Sequence, residues 1–168
     1  MVGRSVRRLS FMAAMACLWL QPALALDIYA WDGGGPVGSV VINTSERRLY
    51  LVVGEGEAHS WPIAVGREGK QWSGRTRVIG KARHPAWRPT ASMRAEKPSL
   101  PAYVAPGPGN PMGIRAIYLD TGALRIHGTN APGSIGRAAS SGCFRMHNAH
   151  VAELYELVDI GAEVIVRR

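Results

Sequence analysis

Seven prolines fall between Ala82 and Gly113, and they decide which parts of this chain can carry regular structure. Proline fixes its own φ, gives no backbone N–H to a ladder or helix, and restrains the residue before it. A helix or central strand through this window is therefore not expected. A stretch of this length without regular structure is long for a compact domain, and ordered loops of that kind are commonly lids or binding loops. His84, Trp87, Met93 and Tyr103 are available to pack it onto a body built from the flanking sequence.

The flanking sequence reads as short strands. Ser39–Ile42 is apolar, Asn43 to Arg47 is a polar turn, and Arg48–Val53 alternates, closing a hairpin. Gly54 to Glu57 turns the chain into a third strand, Ala58–Val65, and Arg75–Lys81 follows the loop 66–74. Beyond the proline window, Ile114–Leu119 and Leu124–His127 form a second hairpin around Asp120-Thr121-Gly122. Regularly spaced strands and turns predict a mainly β, antiparallel architecture. One helix is expected at Ala149–Val158, where Val151, Leu154, Tyr155 and Val158 share a face and Asn148 stands in the N-cap position. Glu163–Val166 is a final strand. Trp61, Trp72 and Trp87 read as core or loop anchors.

The 168 residues suit one domain, and no internal repeat or linker composition divides them. Residues 1–25 read as an export signal. Arg4, Arg7 and Arg8 precede an apolar run from Leu9 to Leu20, and Pro22-Ala23-Leu24-Ala25 offers small residues to a signal peptidase. The run is shorter than the roughly 20 apolar residues of a membrane-spanning helix, which disfavours a retained anchor. Cys17 lacks the leucine three residues earlier that a lipoprotein signal carries. Residues 26–37 are Gly-rich and read as a loose lead-in, leaving 38–168 as the domain. Cleavage removes three of the 20 basic residues and none of the 12 acids, so the remainder carries +5. A basic exported protein attracts wall polymers and lipid head groups, with nucleic acid the weakest candidate partner.

Cleavage also leaves Cys143 as the sole cysteine. In an oxidising compartment, such a residue is either a buried, inert hydrophobe or a free thiol. Its neighbours Ser141, Gly142 and Arg145 are not core residues, which favours the second. His127 closes a strand sixteen residues earlier. The stretch between them contains Gly128, Gly133, Gly136 and Gly142, enough freedom to fold the pair together. A thiol becomes a nucleophile when a base takes its proton or its pKa falls. No acid lies between Thr121 and Ala152, whereas Arg125, Arg137 and Arg145 do. That positive field favours a thiolate and an anionic substrate. The group orienting His127 is then a backbone carbonyl, such as that of Gly128, or an acid outside the stretch, such as Asp120. The amides of Gly142 and Cys143 are candidate oxyanion donors. His59, His147 and His150 read as surface or packing residues, and His84 as a candidate for the substrate side. A zinc site using His127, Cys143 and His147 matches no familiar ligand spacing.

The runs His127-Gly128-Thr129-Asn130, Ser134-Ile135-Gly136 and Ser141-Gly142-Cys143-Phe144-Arg145-Met146 resemble the L,D-transpeptidase catalytic domain, the YkuD domain. Asn110-Pro111-Met112-Gly113 resembles its Asn-Pro-Leu-Gly element, and the similarity spans about residues 38–168. The resemblance implies a sandwich- or barrel-like YkuD fold with one helix in its C-terminal half and a long proline-rich loop. It implies that Cys143 attacks the diaminopimelate–D-alanine bond of a peptidoglycan tetrapeptide stem. A thioacyl-enzyme forms and passes to an amine, with His127 as base and then acid. The acceptor would be a second diaminopimelate, giving a 3→3 cross-link, or an envelope protein.

Gly128 and Gly142 are then the orienting and oxyanion residues, and Ser141, Arg145, Thr129 and Asn130 the substrate-binding ones. The resemblance implies no metal or organic cofactor, peptidoglycan stem peptides as partners, carbapenems as covalent inhibitors, and a periplasmic or cell-envelope location. Two positions differ from many members: Trp72-Ser73-Gly74-Arg75-Thr76 replaces a Thr-Pro-x-Gly segment, and Ser141 stands where a histidine is common. Two other functions remain open from the sequence: a cysteine hydrolase of stem peptides, with water as acceptor, and a non-catalytic peptidoglycan-binding protein.

Overall fold

The computed structural model describes residues 27–168, so the expected export signal at 1–25 lies outside the described residues. Strands β1 (Ile28–Ala30), β2 (Val40–Asn43), β3 (Arg48–Gly54) and β4 (Glu57–Pro62) are followed by the two-residue β5 (Val65–Gly66) and the long β6 (Gly74–Arg83). After a short helix α1 (Ala91–Glu96) come β7 (Arg115–Leu119), β8 (Arg125–His127), β9 (Ala138–Ser140) and β10 (Phe144–Arg145). Helix α2 (Asn148–Leu157) and β11 (Glu163–Arg167) complete the domain.

Nine strands form one sheet in the order β1-β4-β3-β2-β11-β6-β7-β8-β10, and β5 pairs with β9 separately. The fold is mainly β, but the sheet is mixed: β11 runs parallel to β2, and β10 runs parallel to β8. A parallel pair needs a crossover, and for β8 and β10 it is the segment 128–143, which carries β9. The sheet does not close into a barrel. An isolated bridge, in which Ala64 and Arg145 exchange backbone hydrogen bonds of 2.8 and 2.9 Å, ties the segment between β4 and β5 to the edge strand β10.

Period-two alternation builds the core. Val40 and Ile42, Leu49 and Leu51, Ile117 and Leu119, and Val164 and Val166 all point inward and are buried. Val151, Leu154 and Val158 of α2 meet them, with Tyr155 packed against the same cluster, as the i, i+3, i+4 spacing predicts. Trp61 in β4 donates to Glu153 in α2 at 2.9 Å, so the helix is tied to the opposite end of the sheet as well.

Three expectations fail, each for a local reason. The lead-in is not loose: β1 pairs antiparallel with β4, and Trp31 stacks on Tyr50 with ring centroids 4.5 Å apart. The proline window does hold a helix. Its prolines leave Thr90 to Lys97 free, and Thr90 caps α1 by accepting from the Met93 N–H. Finally, α2 is capped by His147 without a side-chain bond, and the Asn148 side chain is engaged elsewhere.

Candidate active site

Strand register brings the candidate pair together. Parallel pairing sets Phe144 beside Ile126 and Arg145 beside His127. Ile126 and Phe144 point into the core and are fully buried. The alternate positions Arg125, His127, Cys143 and Arg145 therefore share the opposite face, and all four line one groove of about 520 Å3. Gly142 makes the turn before the cysteine with φ +124, a conformation that side chains rarely adopt. Ser140 braces that turn: its hydroxyl donates to the Cys143 carbonyl at 2.5 Å and accepts the Gly142 N–H at 3.1 Å. The Gly142 amide is thereby committed within the turn, which removes it as a free oxyanion donor in this structure.

His127 is buried at 5% exposure, and its Nδ1 lies 2.6 Å from the Gly128 carbonyl oxygen. A carbonyl only accepts, so Nδ1 carries the proton and Nε2 keeps its lone pair. Gly128 thus fills the orienting role, and no carboxylate is involved. Burial holds the imidazole down at about 4; the Gly128 bond, next in size, opposes it, and Arg145 and then Arg125 add smaller downward pushes. The Cys143 thiol donates to the Ala123 carbonyl at 3.5 Å. Burial pushes this thiol above its usual value; the Arg125 backbone and guanidinium, and Arg145, pull it back less strongly. The positive field is present as expected, but desolvation outweighs it. Burial thus disfavours the charged form of each group, the thiolate and the imidazolium.

Of the predicted substrate residues, Arg145, Ser141 and Asn130 line the groove. Arg145 is half-buried and makes no ion pair among the described residues. Thr129 does not face the groove: it is 4% exposed and its hydroxyl accepts from the Ala131 N–H at 3.0 Å. His84 is also absent from the lining, and its backbone is held to Ile114.

The groove wall comes from the proline-rich segment, through Trp87, Met93, Leu100 and Met112. Trp87 therefore serves the groove rather than the core. Asn110 anchors this wall while almost fully buried. Its amide donates to the carbonyls of Pro85, Val104 and Ala105 and accepts the Met112 N–H at 2.8 Å. At the rim, Glu96 of α1 pairs with both Arg67 and Lys70, and Arg67 also donates to the Ser141 hydroxyl at 3.0 Å. Sequence reasoning missed the roles of Ser140, Trp87 and Asn148; the first two carry no pattern that distinguishes a groove residue from a turn or core residue.

A family model described as YkuD, the L,D-transpeptidase catalytic domain, matches residues 38–166. The chain is 42% identical over 134 residues to a protein named "Probable L,D-transpeptidase YbiS" of Escherichia coli K12, covering 74% of this chain and 43% of that protein. It is 40% identical, over the same length, to "Probable L,D-transpeptidase ErfK/SrfK" of Salmonella typhimurium, covering 42% of it. The chain thus spans less than half the length of these relatives. Among solved structures, L,D-transpeptidase 3 from Mycobacterium tuberculosis, in complex with a faropenem-derived adduct, superposes with a TM-score of 0.59 at 19% identity. The superposition covers 77% of this chain and 60% of that one. This chain belongs to the L,D-transpeptidase catalytic-domain family.

Proposed function

We propose that this protein is an exported peptidoglycan L,D-transpeptidase acting in the periplasm or cell envelope. The observation that carries the reading is His127. It is buried, neutral and fixed in one tautomer by Gly128, and it shares a groove with the free thiol of Cys143. In this reading, Nε2 takes the thiol proton as sulfur attacks the carbonyl between diaminopimelate and D-alanine in a tetrapeptide stem. The same proton passes to the departing D-alanine amine, leaving a thioester on Cys143. An amine acceptor, either a second diaminopimelate or an envelope protein, then loses its proton to His127 and takes the acyl group. Arg145 offers an unpaired guanidinium to a stem carboxylate, with Ser141 and Asn130 beside it. Carbapenems are expected to acylate Cys143; a solved L,D-transpeptidase in complex with imipenem, a carbapenem, supports that expectation.

Incubation with disaccharide tetrapeptide, followed by mass spectrometry, tests the proposal. Cross-linked dimer together with released D-alanine supports transfer. Tripeptide alone turns the reading toward a hydrolase. Full turnover by Cys143→Ala sinks the nucleophile, and an inactive protein that still binds wall sacculi tightly supports the binding-protein alternative.

A further inference from the structure

Asn148 stands where a helix cap is expected, but its side chain turns away from α2. Its Oδ1 accepts the Thr129 N–H at 3.1 Å, and its Nδ2 donates to the Thr129 carbonyl, also at 3.1 Å. The Thr129 N–H and the Gly128 carbonyl are the two ends of one peptide group. The carbonyl end accepts from His127 Nδ1 at 2.6 Å. A peptide group is planar and turns as a unit, so holding its N–H end sets the direction of its carbonyl. The result is one continuous chain: imidazole N–H to peptide oxygen, peptide N–H to amide oxygen. Each bond in such a chain polarises the next.

The surrounding backbone is cut to admit this amide. A Cβ on Gly113 would lie 2.2 Å from Asn148 Oδ1, and one on Gly128 would lie 2.1 Å from it. Neither distance is sterically possible, and Gly113 also has φ +63. Gly113 is required in any case by the Thr129 nitrogen and the Gly128 carbonyl carbon, 2.5 and 2.7 Å from such a Cβ, so Gly128 is the glycine that makes room for the amide. Met146 N–H holds the His127 carbonyl at 2.8 Å, and Gly128 N–H donates to the Arg115 carbonyl at 3.1 Å. Asn148 supplies the remaining restraint on the peptide that orients the histidine.

We infer that Asn148 is a positioning residue for His127, acting through the Gly128–Thr129 peptide in the place where other nucleophile–histidine pairs use a carboxylate. This inference rests on the reading of His127 as the base for Cys143. Holding the Gly128 carbonyl on Nδ1–H leaves the ring's lone pair at Nε2.

The test combines nitrogen NMR of the His127 ring with the rate at which a carbapenem acylates Cys143, followed by intact mass. In the unmodified protein, one tautomer with the proton on Nδ1 is expected. Asn148→Ala should give a mixture of tautomers and an acylation rate lower by on the order of 100-fold, from misplacement of the base. Asn148→Asp keeps an oxygen for the Thr129 N–H and should restore the single tautomer and much of the rate. It also decides the matter should Asn148→Ala fail to fold. A merely structural asparagine would change stability but neither the tautomer nor the rate of the folded fraction.

Folded Asn148→Ala with the Nδ1 tautomer intact and a rate within about twofold of the parent would overturn the inference. So would Asn148→Asp showing mixed tautomers and no restored rate. His127→Ala separates the two layers: a slow His127→Ala beside a fast Asn148→Ala overturns the positioning role alone. A fast His127→Ala overturns the function proposed for the pair.

Discussion

The two sides of the groove are held by different means. On the side carrying His127 and Cys143, strand register, core burial of Ile126 and Phe144, and buried backbone hydrogen bonds set each group. On the other side, residues 84–113 are braced from within by the buried Asn110, and are tied outward by the Asn130 amide on the Gly109 carbonyl and by ion pairs between exposed side chains. The contrast separates two tasks. Proton transfer tolerates little misplacement, so its groups lie where the fold is stiffest. A wall that must admit and release a substrate can be carried by contacts that water partly replaces.

Four changes would break or sharpen this contrast. Cys143→Ala should abolish the carbapenem adduct altogether in intact-mass spectra. A persisting adduct would move the chemistry to another residue. His127→Gln should slow acylation by about 100- to 10,000-fold, the range for loss of a general base, read by stopped kinetics on the same adduct.

The same variant has a signature in stability. The native ring binds its proton only near 4, while an unfolded histidine does so near 6.5. Between those values, acidification is taken up by the unfolded chain. The contribution of this group is thus complete above about 6.5, falls as pH drops toward 4, and amounts to about 3 kcal/mol. His127→Gln should flatten that part of the pH–stability curve in urea titrations; an unchanged slope would refute the buried neutral ring.

Asn110→Ala should cost about 3 kcal/mol, because it leaves buried carbonyls and the Met112 N–H unpaired. It should also expose residues 84–113 to limited proteolysis while β8 and β10 stay protected. Simultaneous cleavage on both sides would erase the proposed division. Glu96→Gln should have the smallest effect, changing the acylation rate by no more than about twofold and removing part of its salt dependence. A large loss there would place the rim ion pairs among the essential contacts.

What the sequence disclosed follows from how each element is stabilised. Strands β3 and β11 alternate because one face is buried, β2 is an apolar run buried throughout, and α2 repeats every three or four residues because one face is covered. These were readable. Strand β1 is exposed along its whole length and has no pattern to read. Strands β5 and β10 have two residues each, too few for any period. Parallel pairing of β11 with β2 depends on chain path, which local residues do not encode. In the candidate site, His127, Gly128 and Cys143 were legible as a motif. The motif places Thr129 among the substrate residues by resemblance alone, whereas Asn148 holds its backbone and its hydroxyl accepts the Ala131 N–H inside the fold. Asn148 itself was assigned to the helix because an asparagine before a helical run looks the same in sequence whether it caps the helix or reaches across to a neighbouring loop.

Strand β11 lies between β2 and β6, near the middle of the large sheet. During synthesis, β2, β3 and β4 leave the ribosome early, yet β2 keeps one edge unpaired until residues 163–167 emerge. An open apolar edge is a template for pairing with other chains, so the nascent protein carries that hazard until β11 is available. A ribosome-bound chain stopped at residue 160 should therefore be protease-sensitive throughout, with no folded first half.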